Sequence, residues 1–481
     1  MALSTKAKKR LEVAMARRDE ATEITDSIDS LLDTTISTAT TLYVATTGSD
    51  SNAGTEAQPF RTIQAAINSL NGKLLRNTVT IQVGLGSFDG FLIDLNLIKT
   101  TSAGSAVNVA GFNTIIDVVG TFTVPILTSG TVSGTGSASV VNLAGVLTDG
   151  TQSWTVDELK GKYVLSGSNY LPIVSNTATT LTVANSSFVG TSYSIWDIGT
   201  NIDSGEVYTS GTGPGSTVAR IGISGTGATA NSLEILIRRL AVAHVSASSA
   251  AFTANGGCRS TLRNISIVKT SGGTGPSVSL SGTVAFNLDL SYVYRSDTTQ
   301  ALISLVAANQ SVRTTSSYLR GGSVGISGAT TAVGNGFIGS TTFESNTTGI
   351  VLNGSSFDCQ LSSANRFLNC TTALQSGASS FATAPQLICG STVTMFFSGC
   401  AVILSAQCGR ASLGTCSGSG NTNGIVATVG ARVRISNTAA LGVSGNELSV
   451  DGVTGTLATM RSSSPRVFPL VPNPYGTYVY E

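Results

Sequence analysis

Charged side chains are scarce in this chain. Asp, Glu, Lys and Arg make up 11% of its 481 residues, against roughly 25% in ordinary soluble domains. The formal net charge is +1, so the chain as a whole has no electrostatic attraction for nucleic acid or for a membrane surface. Two interpretations are open. Either Ser and Thr cover a solvent-exposed surface, or part of the flank is buried against other copies of the chain.

Histidine and long apolar runs are almost absent. The single histidine, His244, lies in the apolar stretch Leu-Ala-Val-Ala-His-Val at 240–245, which excludes a histidine-based metal site and a Ser-His-Asp triad. No run approaches the roughly 18 apolar residues of a membrane-spanning helix. The basic N-terminus lacks a following apolar segment, so we expect no signal peptide and assembly in a reducing cytoplasm. We predict no metal and no cofactor.

The seven cysteines are odd in number and form no Cys-x-x-Cys pair. Six of them lie between residues 359 and 416: Cys359, Cys370, Cys389, Cys400, Cys408 and Cys416. We expect them to be small buried hydrophobic side chains rather than disulfides.

The sequence does contain a short internal repeat between Gly321 and Phe381. Ile326, Ile350 and Leu374 recur in one column, and Asn-Thr-Thr-Gly-Ile-Val at 346–351 returns as Asn-Thr-Asn-Gly-Ile-Val at 421–426. A unit of about 24 residues buries its apolar face by stacking on its neighbours. Its Gly, Ser, Thr, Val, Ile and Phe favour short strands and turns. We therefore predict an all-β fold, a right-handed parallel β-helix or solenoid, in which each repeat is one rung.

Residues 1–41 differ from the rest. The stretch 4–32, rich in Ala, Glu, Lys and Arg, is predicted to be an α-helix capped by Ser4, and a polar linker follows at 33–41. Because such a helix has no core of its own, we expect it to attach to other copies of the chain or to another protein; a solvated tail is the alternative. The attachment residues are Lys6, Lys8, Lys9, Arg10, Leu11, Met15, Arg17, Arg18, Ile24 and Ile28.

Residues 42–135 are predicted to form a cap and the first rungs. Leu42-Tyr-Val leads into Gly48-Ser-Asp-Ser-Asn-Ala-Gly54, followed by Pro59-Phe-Arg-Thr-Ile63. This pattern resembles the opening of pectate-lyase-like β-helices, which implies a helix that caps the end of the solenoid. We expect that helix to start at Pro59, with Ile63, Ile67 and Leu70 on one face, and the first full strand to be 79–83.

Residues 136–198 interrupt the repeat. Trp154 lies in a charged stretch at 147–164, Asn-Thr-Ala-Thr-Thr-Leu-Thr-Val follows at 176–183, and Trp196 closes the segment. These strings resemble a small β-barrel inserted in many phage tail and spike proteins. The resemblance implies an inserted domain with a role in assembly or recognition.

The repeat continues from 199 to 455 as a predicted shaft. This length corresponds to about ten rungs, or about 50 Å at a strand spacing of ~4.8 Å. The segment 456–481 carries Pro465, Pro469, Pro472, Pro474, Tyr475, Tyr478 and Tyr480. We expect it to end the strand ladder as a C-terminal cap.

Carboxylates that could cleave a glycan are sparse. Glycoside hydrolysis uses two, roughly 5–9.5 Å apart, and residues 210–420 contain only Glu234, Asp289, Asp297, Glu344 and Asp358. Asp297 and Glu344, close to two rungs apart, are the candidate catalytic pair; the alternative is that both are turn or surface carboxylates. A calcium-dependent lyase would require clustered Asp residues, which this sequence lacks.

Arginines are concentrated in the middle of the shaft. Guanidinium groups in a row bind anionic sugars well, and the alternative is pairing with acidic residues across a subunit interface. The candidate binding residues are Arg238, Arg239, Arg263, Arg295 and Arg320.

The N-terminal helix, the solenoid and the small insert together resemble bacteriophage tailspikes, tail fibres and head fibres. This resemblance implies a homotrimer, assembled in the host cytoplasm, that joins other virion proteins through its N-terminal helix. We predict a virion structural protein that acts in adsorption to host surface glycan or in particle decoration, with no nucleic-acid partner. The alternative is a tailspike depolymerase, a hydrolase or lyase of host surface polysaccharide.

Overall fold

The computed structural model describes residue 17, residues 35–100, residues 114–451 with short gaps, and residues 459–460 and 479–480. The gaps are 124, 132–133, 138–144, 185–191, 209–217, 226–232, 245–249, 256–257, 271–274, 282–283, 307–309, 329–333, 354–356, 363–364, 378–385, 390–394, 408–409, 414–415, 429–431, 436–443 and 445–447. The predicted attachment helix therefore lies outside the described residues, apart from Arg17. Most of the predicted C-terminal cap at 456–481 also lies outside them.

Three long sheets form the shaft, and most rungs contribute one strand to each sheet. Face 1 has twelve strands: β2 (Thr40–Val44), β4 (Val79–Val83), β8 (Thr114–Val119), β19 (Leu233–Arg238), β22 (Cys258–Arg263), β25 (Val284–Asp289), β28 (Gln310–Thr315), β31 (Gly334–Gly339), β34 (Phe357–Ser362), β37 (Gln386–Cys389), β40 (Arg410–Leu413) and β43 (Arg432–Ile435). Face 2 has ten strands: β5 (Gly86–Asp89), β16 (Thr200–Ser204), β20 (Ala241–His244), β23 (Ser266–Lys269), β26 (Tyr292–Arg295), β29 (Tyr318–Gly321), β32 (Thr342–Glu344), β35 (Arg366–Leu368), β38 (Met395–Ser398) and β41 (Cys416–Ser419).

Face 3 is built in the same way. Its strands are β6 (Phe91–Asp94), β17 (Val207–Tyr208), β18 (Val218–Ser224), β21 (Ala250–Asn255), β24 (Val278–Ser281), β27 (Ala301–Leu305), β30 (Val324–Gly328), β33 (Thr348–Asn353), β36 (Thr372–Gly377), β39 (Val402–Gln407), β42 (Asn423–Thr428) and β44 (Leu448–Asp451). Apart from the antiparallel β17, neighbouring strands on the three faces pair in parallel. The predicted all-β solenoid of parallel sheets is confirmed.

The repeat predicted from the sequence matches the strand register. Ile326, Ile350 and Leu374 pair in succession, as the sequence repeat requires. Elsewhere the number of residues between paired positions changes. Fewer residues separate Met395 from its partner Cys416, and more residues separate Arg366 from its partner Phe396. The strands therefore stay in register, while the connections between them vary in length.

Five successive rungs turn from face 1 to face 2 through one residue with a positive φ. The residues in this column are Arg239 (60°), Asn264 (52°), Leu290 (49°), Ser316 (47°) and Ser340 (49°). Side chains other than glycine rarely adopt this conformation. The strands on either side hold it in place, so the chain bends at the same point in successive rungs.

The shaft interior is filled by stacked side chains. The rings of Phe343, Phe367 and Phe397 are buried and lie in a column, with centroids 4.8 and 5.3 Å apart. Gly349 lies beside this column, where a Cβ would come within 2.7 Å of the Phe367 ring and 2.5 Å of the Ala373 carbonyl oxygen. The aromatic stack and the neighbouring backbone therefore leave no room for a Cβ at Gly349.

The N-terminal end is covered by helix α1 (Ile63–Asn68). Ile63, Ile67 and Leu70 are buried on one face, as predicted, and the predicted strand at 79–83 is β4. The expected start at Pro59 is wrong, because Thr62 caps the helix by accepting a bond from the Ala65 amide at 3.1 Å. A small parallel sheet of β1 (Thr35–Ile36), β3 (Leu74–Leu75) and β7 (Lys99–Thr100) lies at the same end.

A seven-stranded antiparallel sheet forms the insert. Its order is β10 (Gly134–Ser137), β11 (Gly145–Thr148), β14 (Thr180–Val183), β13 (Asn169–Asn176), β12 (Tyr163–Ser166), β15 (Ser192–Trp196) and β9 (Leu127–Thr131). The long strand β13 pairs with β12 along its first half and with β14 along its second, and its register shifts between Ile173 and Ser175. Among the described strands the path ends at β10 and β9, without a pairing that closes a barrel. The strands β45 (Thr459–Met460) and β46 (Val479–Tyr480) pair separately.

The insert packs on the outer surface of face 2. Val174 and Ala184 of the insert form one buried cluster with Tyr292 and Tyr318 of the shaft. The Tyr163 hydroxyl donates a 2.8 Å hydrogen bond to the carbonyl oxygen of Ile265. These contacts fix the insert against the corner between faces 1 and 2.

Candidate functional site

A cleft of about 220 Å³ lies where the insert meets that corner. Its described lining residues are Ser168, Asn169, Tyr170, Leu236, Arg238, Arg239, Arg263 and Asn264. Ser168 lies in the turn between β12 and β13, Asn169 and Tyr170 begin β13, and the others come from two consecutive rungs of the shaft. Three of the five arginines predicted to bind an anion therefore meet at one site.

Arg238 is fixed by a carboxylate on the neighbouring strand. Its Nε donates to Oδ1 of Asp117 at 3.0 Å, and its Nη2 donates to Oδ2 at 2.6 Å. This two-point contact sets the plane of the guanidinium. The Arg238 side chain stays 34% exposed, so part of the cation still faces the cleft.

Arg263 occupies the same position one rung further on, since it pairs with Arg238 across β19 and β22. Its Nε lies 3.5 Å from Oδ2 of Asp289, and its Nη2 donates a long 3.4 Å bond to Oδ1 of Asn169 in the insert. The Arg263 side chain is 46% exposed, so it is more open to solvent than Arg238, the other ion-paired arginine of the site. A ligand entering the cleft would meet this guanidinium with little desolvation beforehand.

Arg239 lies at the corner itself, in the positive-φ column. Its guanidinium carbon lies 5.6 Å from the ring centroid of Phe122 and 5.8 Å from that of Tyr170. These two rings stack on each other with centroids 4.1 Å apart. Such cation–π contacts hold an arginine in place without using its hydrogen-bond donors.

The corner is tight enough to require a glycine opposite Arg239. A Cβ on Gly120 would lie 2.0 Å from the Arg239 carbonyl oxygen. Asn264, the next residue of the positive-φ column, donates a 2.7 Å bond to the carbonyl oxygen of Tyr170. The backbone of the corner therefore positions both Arg239 and the insert turn.

The charge of the site favours an anion. The ion-pair partners of these arginines are Asp117 and Asp289, so three guanidinium groups face two carboxylates and one positive charge remains. Planar guanidinium donors match carboxylate, sulfate and phosphate groups. The amide of Asn169 and the ring of Tyr170 add the polar and apolar contacts that a sugar requires.

None of the described lining residues of the cleft is a carboxylate. The nearby Asp117 and Asp289 lie on β8 and β25, which two intervening strands separate. Three strand steps of ~4.8 Å place them at least about 14 Å apart, which exceeds the roughly 9.5 Å limit for paired catalytic carboxylates of a glycoside hydrolase.

The two other predicted arginines lie elsewhere. Arg295 is fully buried, and its guanidinium donates to Asp297 at 2.8 Å and to the carbonyl oxygen of Gly275. Arg320 lies on face 2 with its guanidinium carbon 5.0 Å from the ring centroid of Tyr294. The structure therefore does not bring these two residues into the cleft.

The candidate catalytic pair is also held in ion pairs. Burial alone would raise the pKa of Asp297, but hydrogen bonds from Arg295 and Thr299 outweigh it and lower that pKa below its ordinary value. Glu344 accepts a 2.9 Å bond from Lys160 of the insert and another from the Tyr318 hydroxyl. Glu344 is in register with Tyr294 two strands away, and Asp297 lies beyond the end of β26, so the two strand steps of ~4.8 Å alone separate the pair by about 10 Å. A general acid needs a raised pKa, and Asp297 has the opposite.

Within the described residues no group of three or more His, Cys, Asp or Glu side chains is arranged to hold a metal ion. No helix among them is long and apolar enough to cross a membrane. His244 is fully buried on face 2, in register with Lys269 and Arg295.

Among known proteins, only solved structures show a similarity to this chain. No protein-family model matches the sequence, and no curated protein matches it. Similar structures include one described as a glycoside hydrolase (8% identity, 85% of this chain and 95% of that chain, TM-score 0.31). A second is XylC in complex with xylose (11% identity, 82% of this chain and 70% of that chain, TM-score 0.33). A third is the tailspike protein gp49 from Pseudomonas phage LKA1 (12% identity, 87% of this chain and 75% of that chain, TM-score 0.30). At these scores the likeness carries no argument about function.

Proposed function

We propose that this chain is the subunit of a virion fibre or spike, and that the cleft beside its insert binds an anionic saccharide of the host surface. The observation that carries the proposal is the convergence of Arg238, Arg239 and Arg263 on one cleft of about 220 Å³. A cavity of this size accommodates part of a sugar chain, and its open side allows the rest of the chain to continue into solvent.

Each arginine supplies a different part of the binding site. Arg238 is oriented by Asp117, Arg239 is held by aromatic rings, and Arg263 is the more open of the two ion-paired cations. Because these contacts fix the donors before a ligand arrives, binding costs little side-chain ordering. The insert contributes Asn169 and Tyr170, so recognition depends on the insert remaining docked.

The role in the virion is supported by the sequence at 147–183, which resembles a small β-barrel inserted in many phage tail and spike proteins. A trimer would bury part of the weakly charged flank of the shaft, and the predicted helix at 4–32 would join other virion proteins. A solution mass near three times 48.8 kDa is expected, and a stable monomer would contradict the trimer. Immunogold labelling of intact particles tests the virion location, and unlabelled particles would contradict it.

The binding proposal is tested by titration calorimetry on the full chain. The probes are oligogalacturonate and a hyaluronan tetrasaccharide, with neutral xylotetraose as the comparison. We expect the acidic probes to bind more tightly than xylotetraose. Arg263→Ala should weaken the binding of the acidic probes about tenfold, which is about 1.4 kcal/mol, and added salt should weaken that binding further. The matched control is Arg61→Ala, since Arg61 is exposed and does not line the cleft.

Two results would overturn the binding proposal. One is xylotetraose binding as tightly as the acidic probes. The other is Arg263→Ala and Arg61→Ala having equal effects. The depolymerase alternative would require release of reducing ends from an acidic polysaccharide, together with loss of that release in Asp297→Ala or Glu344→Ala.

A further inference from the structure

Two cysteines lie on consecutive rungs at the corner between faces 2 and 3. Cys370 follows β35 and Cys400 follows β38, and each is 1% exposed. These strands pair Leu368 with Ser398, so the cysteines, two positions further on in each, occupy equivalent places. The Ala401 amide donates to the Cys370 carbonyl oxygen at 3.3 Å, which keeps the two main chains in step beyond the strands.

The cysteines interrupt a column of asparagines. Asn346 and Asn421 occupy this position on the rungs before and after, and the Asn421 amide donates to the Phe397 carbonyl oxygen at 3.0 Å. The Cys370 and Cys400 thiols point at the corresponding carbonyl oxygens of Phe343 and Phe367, at 3.9 and 3.7 Å. A thiol is a weak donor, so hydrogen bonding to these carbonyls does not explain why cysteine replaces asparagine on two successive rungs.

Interaction between the two side chains is the main cause that raises the pKa of the Cys370 thiol and lowers that of the Cys400 thiol. Adjacent strands lie about 4.8 Å apart, which falls within the roughly 4.4–6.8 Å between the Cα atoms of disulfide-bonded cysteines. Two cysteines in register on neighbouring rungs therefore lie within reach of a disulfide, and the lowered pKa of Cys400 favours the thiolate that starts its formation.

We propose that Cys370 and Cys400 are a reactive dithiol that closes to a disulfide joining two consecutive rungs. With a peroxide as oxidant, the Cys400 sulfur attacks a peroxide oxygen, the O–O bond breaks, and a sulfenic acid and one water form. The Cys370 sulfur then attacks the sulfenic sulfur, the S–S bond forms, and a second water leaves with the Cys370 proton. Two thiols are oxidised and one peroxide is reduced.

The disulfide would link rungs whose connection is long. Arg366 on β35 pairs with Phe396 on β38, so the chain between these rungs is longer than the repeat of the neighbouring rungs. Closing that loop covalently restricts the unfolded chain.

The test uses the full, folded chain treated with one equivalent of hydrogen peroxide, then denatured, alkylated, digested and analysed by mass spectrometry. We expect loss of two of the seven thiols and one cross-linked peptide pair containing Cys370 and Cys400. Cys370→Ser should stop the reaction at a sulfenic acid on Cys400 that dimedone traps. Cys400→Ser should leave Cys370 reduced.

Cys359→Ser is the matched control, because Cys359 is equally buried on face 1, and it should leave the cross-link unchanged. A disulfide between any other cysteines would overturn the proposal. So would full retention of thiols in the folded chain under conditions that oxidise the urea-unfolded chain. Both outcomes are read from the unmodified sequence, so the test does not depend on any variant folding.

Discussion

Replacing Glu344 with glutamine should loosen the insert from the shaft. Glu344 lies on β32 and accepts hydrogen bonds from Lys160 of the insert and from Tyr318 of the shaft. The Lys160 and Glu344 side chains are only 10% and 13% exposed. Glu344→Gln keeps the shape of the side chain but leaves the mostly buried Lys160 ammonium with only the half-exposed Asp157, at 3.9 Å, as a counter-charge.

The expected loss follows from that burial. Removing one partner of a buried ion pair costs about 3–5 kcal/mol, and the remaining Asp157 contact places this case near the lower end. With a denaturant slope of about 2 kcal/mol per molar urea, the unfolding midpoint should fall by about 1.5 M. Replacing both partners of such a pair by apolar residues is often neutral, so Lys160→Met with Glu344→Met should recover most of the loss.

Tryptophan fluorescence is the assay, because Trp154 and Trp196 are the only two tryptophans of the chain and both lie in the insert. Urea titration therefore measures the insert separately from the shaft. The matched control is Lys162→Met, which breaks the Lys162–Asp197 pair, whose side chains are 34% and 39% exposed. An exposed pair contributes about 0–1 kcal/mol, so the midpoint should barely move.

Equal shifts of the midpoint in Glu344→Gln and Lys162→Met would refute this role for Glu344. An unchanged midpoint in Glu344→Gln, together with loss of polysaccharide cleavage, would also refute it, since Glu344 would then be catalytic rather than structural.

Two further predictions concern stability. Phe367→Ala should lower the free energy of unfolding, measured by far-UV circular dichroism in urea, by about 4–6 kcal/mol, because it removes a buried ring and two stacking contacts. Phe337 is half-buried on the outer surface of face 1, so Phe337→Ala should lower the same free energy by about 1 kcal/mol. Equal losses in the two variants would contradict the stacked core. Burial would raise the pKa of Asp149, yet hydrogen bonds led by Thr151 and Tyr193 lower it to about 2. Its carboxylate thus stabilises the insert above its ordinary pKa, and this contribution is lost as the pH falls toward 2. The fluorescence midpoint should therefore fall less steeply between pH 5 and pH 2 in Asp149→Asn than in the parent chain, and identical profiles would contradict this.

The repeat revealed the shaft because a solenoid places equivalent residues directly over one another. Ile326, Ile350 and Leu374 are a column in the sequence and a column in the structure. The changes in spacing were not predictable, since the repeat constrains the residues that pair in the strands and not the number of residues that connect one strand to the next. The handedness, the trimer and the domain boundaries stay predictions.

The binding role of the predicted arginines stays a prediction, and the repeat accounts for only part of the candidate site. Arg238 and Arg263 lie one rung apart, so their shared position follows from the repeat. Asn169 and Tyr170 come from the insert, far before the corner residues Arg263 and Asn264 that they contact, and no periodicity in the sequence indicates that contact.

Arg295 was an avoidable error. It follows Val293 by two positions on β26, and alternation places both side chains on the same face of a strand. Val293 is in the core, and Arg295 points inward with it.

The central claim is that the cleft between insert and shaft binds an acidic saccharide. Electron cryomicroscopy of the full chain saturated with oligogalacturonate tests it most directly. We predict saccharide density in the cleft, with its carboxylates against Arg263 and Arg239. Density on another face of the shaft, or an empty cleft at saturating ligand, would contradict the claim.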